Sequence, residues 1–184
     1  GTHHAHFNFG SGYCVFNDLA YSSMHIINKN LVKNILIFDC DVHQGDGTAS
    51  ILFKSKKIFT CSIHCKNNFP SRKSISNLDV ELSDNLNNSE YMDILKNTLI
   101  RCTSYFKPDL VLYDAGVDIH RNDILGRLNI DDEGLLNRDL IVLNYFKNLS
   151  IPIATVIGGG YSKDNLELAK RHSMIFKAAQ KVFL

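Results

Sequence analysis

The chain has no tryptophan, three prolines among 184 residues, and almost no net charge. Twenty Lys and Arg stand against nineteen Asp and Glu, a formal net charge of +1 with histidine neutral. That balance offers no basic field to hold a nucleic-acid backbone, so direct nucleic-acid binding is not expected. No apolar run approaches the roughly 20 residues a bilayer-crossing helix needs, and no signal peptide opens the chain. No membrane association is expected either. Cysteine is sparse and odd in number: Cys14, Cys40, Cys61, Cys65 and Cys102. No pair has zinc-finger spacing, which argues against a disulfide framework and for a reducing, cytoplasmic setting. Internal repeats, low-complexity tracts and Pro/Ser-rich linkers are missing too. An opening methionine is also missing: the chain starts Gly1-Thr2-His3-His4, which reads as a fragment or a processed product.

What is there is the composition of a folded protein, 45% hydrophobic and 21% charged, at a length suited to one domain, residues 1–184. Helical and strand patterns alternate along it. Phe16, Leu19, Ala20, Met24 and Ile27 have helical spacing within 14–28. Short β-branched runs at 34–40, 58–63, 110–113 and 153–157 read as strands. A helix runs from Tyr91 to Phe106 and stops before Pro108. Another spans 135–146 behind acids at 131–133. A last one covers 164–183, with Ala169, His172, Phe176, Ala179 and Phe183 on one face. Strands apolar on both sides, alternating with helices, predict a three-layer α/β/α fold around a mainly parallel sheet. Ligands of such sheets sit beyond the carboxyl ends of the strands.

Three of those strand ends carry chemistry. After the first comes Asp39-Cys40-Asp41-Val42-His43-Gln44-Gly45-Asp46-Gly47. Its Asp, Asp and His alternate, so in extended backbone they face one way. After 110–113 comes Asp114-Ala115-Gly116-Val117-Asp118, and after 153–157 comes Gly158-Gly159-Gly160-Tyr161. Each has a bland reading. An Asp after a strand often caps a turn, the glycines could form a phosphate cradle or a plain loop, His-His could be a surface pair, and Tyr161 a half-buried aromatic. Two carboxylates beside an imidazole are different: desolvating them without a cation is costly.

These motifs, with Gly1-Thr2-His3-His4-Ala5 and Gly12-Tyr13-Cys14-Val15-Phe16-Asn17-Asp18, resemble the zinc-dependent histone deacetylase superfamily, whose fold is shared with arginase. Gln44 and the stretch Asp118 to Gly126 resemble its class IV-like and bacterial branch. The resemblance implies zinc, or ferrous iron, on Asp41, His43 and Asp118. It implies His3 and His4 as the catalytic pair, with His4 the general base, Asp39 behind His3 and Asp46 behind His4. Tyr161 would bond the oxyanion. Tyr13, Phe69, Gly159 and Gly160 would line an acyl-lysine channel, and a potassium ion would sit near Asp39, Asp41, His43, Ser62 and Ile63. The other histidines, His6, His25, His64, His120 and His172, read as structural or surface residues.

The family pattern also extends upstream of His-His. The resemblance therefore implies a partial catalytic domain lacking the first strands, to be completed by a missing N-terminal segment or an oligomer partner. The implied activity is removal of acetyl or acyl groups from lysine in a protein or peptide. Acetylated polyamines or other small acylated amines are the alternative within the same chemistry, and a truncated, non-catalytic binding module the alternative outside it. Arginase-type two-metal chemistry needs further acids that the sequence does not show.

Overall fold

The computed structural model describes Gly1–Leu184. Five strands form one sheet: β1 Ile35–Asp39, β2 Ile58–Cys65, β3 Leu78–Leu82, β4 Leu110–Asp114 and β5 Ile153–Val156. All neighbours pair in parallel, in the order β3-β2-β1-β4-β5. Central β1 is buried at every position, because helices cover both faces. Side chains alternate across it. Ile35 and Ile37 join Leu112 and Ile58 in a small core under α1 (Asp18–Asn28) and α2 (Asp46–Leu52). Leu36 and Phe38 join the large core under α3 (Asn88–Tyr105), α4 (Asp132–Asn148) and α6 (Met174–Phe183). The expected three-layer architecture is what forms.

Local chemistry sets the helix starts. Asn17 caps α1 by accepting from the Ala20 N–H. Asn87 and Glu90 make a reciprocal capping box on α3, and Asp131 accepts from the Gly134 N–H at the start of α4. Pro108 follows the end of α3, as expected.

Four details differ from expectation. α1 starts at Asp18, later than the pattern suggested, because residues 11–14 close a small turn with Tyr13 at φ 64° and leave Val15 and Phe16 exposed. β3 and α2 form where the sequence pattern marked neither strand nor helix. The final helix is broken at Ser173 into α5 (Asn165–His172) and α6, which rotates its face. Ile175, Ala178 and Val182 point inward there, and Phe176 and Phe183 point out. β5 is an edge strand with Ala154 and Thr155 exposed, so it is not apolar on both sides.

Sheet register fixes what the site receives. Asp39, the last residue of β1, is partnered by Ser62 on β2 and Asp114 on β4. The acids of two strands thus meet at one end of the sheet.

Candidate active site

Beyond Asp39 the chain turns sharply, and backbone amides hold the side chains that follow. The Val42 N–H donates to Asp118 Oδ1 (2.8 Å), the His43 N–H to Asp41 Oδ1 (2.9 Å), and the Gly159 N–H to Asp41 Oδ2 (2.7 Å). His43 Nδ1 lies 3.1 Å from Asp41 Oδ1 and 3.0 Å from Asp118 Oδ2. All three side chains are buried, and their donor atoms fall within 4.8 Å of one another.

Such a set fits a divalent cation with oxygen and nitrogen ligands. The electrostatics agree. Burial lifts the Asp118 carboxyl well above the usual range, and the Asp41 carboxylate adds to the rise. Burial also acts on Asp41, but the imidazoles of His3 and His43 outweigh it and hold that carboxyl well below its ordinary value. His43 loses by burial and gains more from hydrogen bonds to Asp118 and Asp41, so its pKa rises to about 10. In the chain alone, a proton on His43 and the raised proton affinity of Asp118 together ease the crowding of the two acids. A cation on the same three atoms would replace the His43 proton.

Beside this set, His3 and His4 lie with ring centroids 4.2 Å apart. Each gives its Nδ1 to a buried acid: His3 to Asp39 Oδ2 and His4 to Asp46 Oδ1, both at 2.6 Å. Asn17 ties the pair to the start of α1, its Nδ2 donating to the carbonyls of His3 (3.3 Å) and Ala5 (3.0 Å). The two rings are pushed apart in basicity. Burial works against charge on His3, but Asp39 and Asp41 outweigh it and the pKa rises well above the ordinary value. For His4 burial wins; the hydrogen bond to Asp46 only offsets it, and the charge on His3 lowers it further. Asp114, register partner of Asp39, is wholly buried, and burial lifts its carboxyl to about 7.

Tyr161 follows β5 and turns its ring edge-on to His43, with centroids 6.2 Å apart at 84°. Burial pushes its phenol well up, so the hydroxyl stays protonated. A cavity of about 490 Å³ opens over His4, His43 and Tyr161, with Tyr13, Phe69, Gly12, Asn67, Asn68, Leu125 and Arg127 completing its lining. Phe69 stands edge-on to His4, with centroids 4.9 Å apart, and Tyr13 is exposed at the mouth.

Gly159 and Gly160 are not in that lining. A side chain on Gly159 would overlap the carboxylates of Asp118 and Asp41, and one on Gly160 would meet Val117 and His172. They pack beneath the ligands, where only glycine fits. Gly159→Ala is therefore expected to weaken binding of a divalent cation by Asp41, His43 and Asp118 roughly 10–100-fold, the scale of losses for residues that orient ligands. Calorimetric titration with zinc measures this; parent affinity in the variant would show that the loop does not press on the ligands. Of the residues expected around potassium, Asp39 and Ser62 are neighbours, but both Asp39 oxygens are taken, by His3 and by the Asp41 N–H. Ser62 Oγ is bonded to His64 Nδ1 at 3.0 Å.

Three contributors were not singled out as site residues in the sequence. Asn68 donates to the Leu125 carbonyl (2.7 Å) and approaches His43 Nε2 (3.4 Å). Asp123 accepts from the N–H groups of Leu125 and Gly126 through one oxygen and of Tyr161 through the other. Arg138, wholly buried and paired with Asp139 (2.9 Å), donates to the carbonyls of Ala115 (3.1 Å) and Gly116 (2.5 Å). It braces the loop that carries Asp118. His120, by contrast, faces Asp132 (3.3 Å) on the surface of α4.

Residues 1–176 match the family model of the histone deacetylase domain, and the chain belongs to that family. It is 47% identical, over its whole length, to an uncharacterised protein of Picosynechococcus, of which it covers 61%. It is 28% identical over 95% of its length to histone deacetylase 2 of Arabidopsis thaliana, covering 48% of that protein. Among solved structures, a histone deacetylase homologue from Aquifex aeolicus matches 98% of the chain at a TM-score of 0.84 and 24% identity, with half of that chain covered. The likeness to that structure is one of fold. The chain thus spans about half to three-fifths of the length of these relatives.

Proposed function

We propose that this chain carries the catalytic centre of a metal-dependent amide hydrolase that removes acetyl or longer acyl groups from lysine side chains of a protein or peptide. The observation that supports it most is the pair of neighbouring imidazoles, each bonded through Nδ1 to its own buried acid, beside an Asp-His-Asp ligand set. With both Nδ1 atoms engaged, Nε2 is the atom each ring has left for the reaction. Asp41, His43 and Asp118 would hold zinc, or ferrous iron, which when bound lowers the pKa of a water molecule and polarises the substrate carbonyl.

The residues divide the remaining work. His4, kept neutral by burial, takes a proton from the attacking water at Nε2 and passes it to the leaving amine nitrogen. His3, held charged by Asp39 and Asp41, stabilises the negative charge that develops. The Tyr161 hydroxyl donates to the oxyanion. Tyr13 and Phe69 flank the alkyl chain of the acylated lysine at the mouth of the cavity. A carboxylic acid and a free amine leave. A potassium ion near Asp39 would draw on the backbone carbonyls of Asp41, His43 and Ile63. All five cysteines are buried free thiols, and no helix is long and apolar enough to cross a membrane; we assign the activity to a reducing compartment, the cytoplasm.

The deciding experiment is metal analysis of the purified chain together with hydrolysis of acetyl-lysine, longer acyl-lysine and acetylpolyamine substrates. Turnover of acyl-lysine supports the reading; turnover of polyamines alone moves it to small amines. A full equivalent of metal with no turnover of any substrate overturns it in favour of a binding module. The pH profile is a second check. A base whose pKa is lowered stays unprotonated further into acid, so the acid limb of kcat/KM is expected below pH 6.5, the ordinary histidine value. A limb centred above pH 6.5 would rule out His4 as the base.

A further inference from the structure

The two acids behind the histidine pair are held in different ways. Asp39 gives Oδ2 to His3, and its other oxygen accepts a backbone N–H, that of Asp41 (3.0 Å). Asp46 gives Oδ1 to His4, and its other oxygen is held by a side chain: His6 Nε2, at 3.1 Å. No other donor within the chain reaches Asp46 Oδ2. A carboxylate this buried needs both oxygens satisfied to stay in one orientation. His6 is itself fixed, because Phe9 stacks on its ring with centroids 4.3 Å apart and planes 14° from parallel.

We infer that His6 is a positioning residue for His4: by occupying the second oxygen of Asp46, it fixes the carboxylate that holds His4 in its Nδ1–H form, with Nε2 free. The chain of atoms is short. His6 donates from Nε2 to Asp46, and Asp46 accepts from His4 Nδ1. Asp46 also borders a side cavity lined by His6, Ser11, Arg72, Lys73 and Ser74. Without His6 the carboxylate is free to turn towards water, and His4 loses the fixed acceptor that selects its tautomer. His6 touches no reacting atom, so its effect passes through kcat.

The catalytic half of this inference rests on the hydrolase reading, and the structural half does not. The test therefore has two readouts on the full chain, for the parent, His6→Leu and His6→Gln. Glutamine places an amide N–H near the position of Nε2, whereas leucine cannot donate. The first readout is ¹⁵N-histidine NMR of the metal-free protein, which reports the His4 tautomer. The parent and His6→Gln are expected to show Nδ1–H, and His6→Leu a mixture of the two tautomers. The second is hydrolysis of an acetyl-lysine peptide by the zinc-loaded protein. There His6→Leu is expected to lose about tenfold in kcat, the low end for residues behind a catalytic group, with KM within twofold, and His6→Gln to recover most of it. If leucine prevents folding, His6→Asn, whose shorter amide cannot span the gap, takes its place.

An unchanged His4 tautomer in His6→Leu overturns the inference. So does a kcat equal to the parent's, or a His6→Gln variant as impaired as His6→Leu. If the parent hydrolyses nothing, the hydrolase reading falls, and the tautomer measurement decides the positioning role alone.

Discussion

Asp41→Ala and His43→Ala are each expected to leave the purified chain with well under one equivalent of zinc and no measurable hydrolysis. Two remaining donors do not hold a zinc ion at the affinity of a three-ligand site, and ligand loss is felt directly as lost binding free energy. The variants should differ in a second respect. Asp41 accepts the N–H groups of His43 and Gly159, so its removal also frees the glycine loop. His43→Ala instead leaves the carboxylates of Asp41 and Asp118 with nothing between them. One must then take up a proton, or the buried pair costs about 3–5 kcal/mol of stability, the range for a buried charge whose partner is removed. Metal-free His43→Ala is therefore expected to melt below the metal-free parent, and to recover as pH falls and a carboxyl protonates. Atomic emission for zinc and calorimetry without metal measure both effects. Full zinc occupancy in both variants would overturn the assignment of this strand end.

The sequence exposed this part of the site because ligand chemistry is dense there. Asp39 to His43 places three of the relevant groups, Asp39, Asp41 and His43, within five residues at the end of a strand, although the chain bends beyond Asp39, so extended-strand alternation is not what brings Asp41 and His43 together. The layered fold was equally legible, since β1 is apolar at four consecutive positions and only a doubly covered strand buries all of them. What could not be read depends on partners far along the chain. Asn68 acts on the Leu125 carbonyl, 57 residues away, and Arg138 on Gly116, 22 residues away. No local pattern marks such contacts.

β3 is five residues with partly exposed middle positions, so it lacks the clean alternation of a half-buried strand. α2 has glycine as its second residue, a poor helix former. It forms nonetheless because a side chain on Gly47 would overlap the backbone of Ala5, so the helix packs against the segment that carries His3 and His4. In α5 and α6 the apolar residues suggested one continuous face, and the break at Ser173 changed which of them turn inward.

Tyr161→Phe is the sharper test of the reaction, because it deletes one hydroxyl and little else. The ring's edge-on packing against His43 and its approach to Tyr13 (centroids 6.0 Å apart) do not need the oxygen. The backbone N–H of residue 161 still donates to Asp123 in the variant. The phenol has no partner within the chain that its loss would strand. Zinc content and melting temperature are therefore expected to hold, and KM to stay within about threefold, since the proposed acyl-lysine channel between Tyr13 and Phe69 is left intact. The loss falls on the transition state, where one donor aimed at a developing oxyanion is worth roughly 10²–10³ in kcat. Burial keeps the hydroxyl protonated well above neutrality, so the deficit should be constant across the neutral range, and the acid limb set by His4 should not move. A deficit that closed towards acid would mean that the phenol acts through proton transfer. Hydrolysis at the parent rate would place the hydroxyl outside the reaction altogether, leaving the charged His3 as the remaining group to meet the oxyanion.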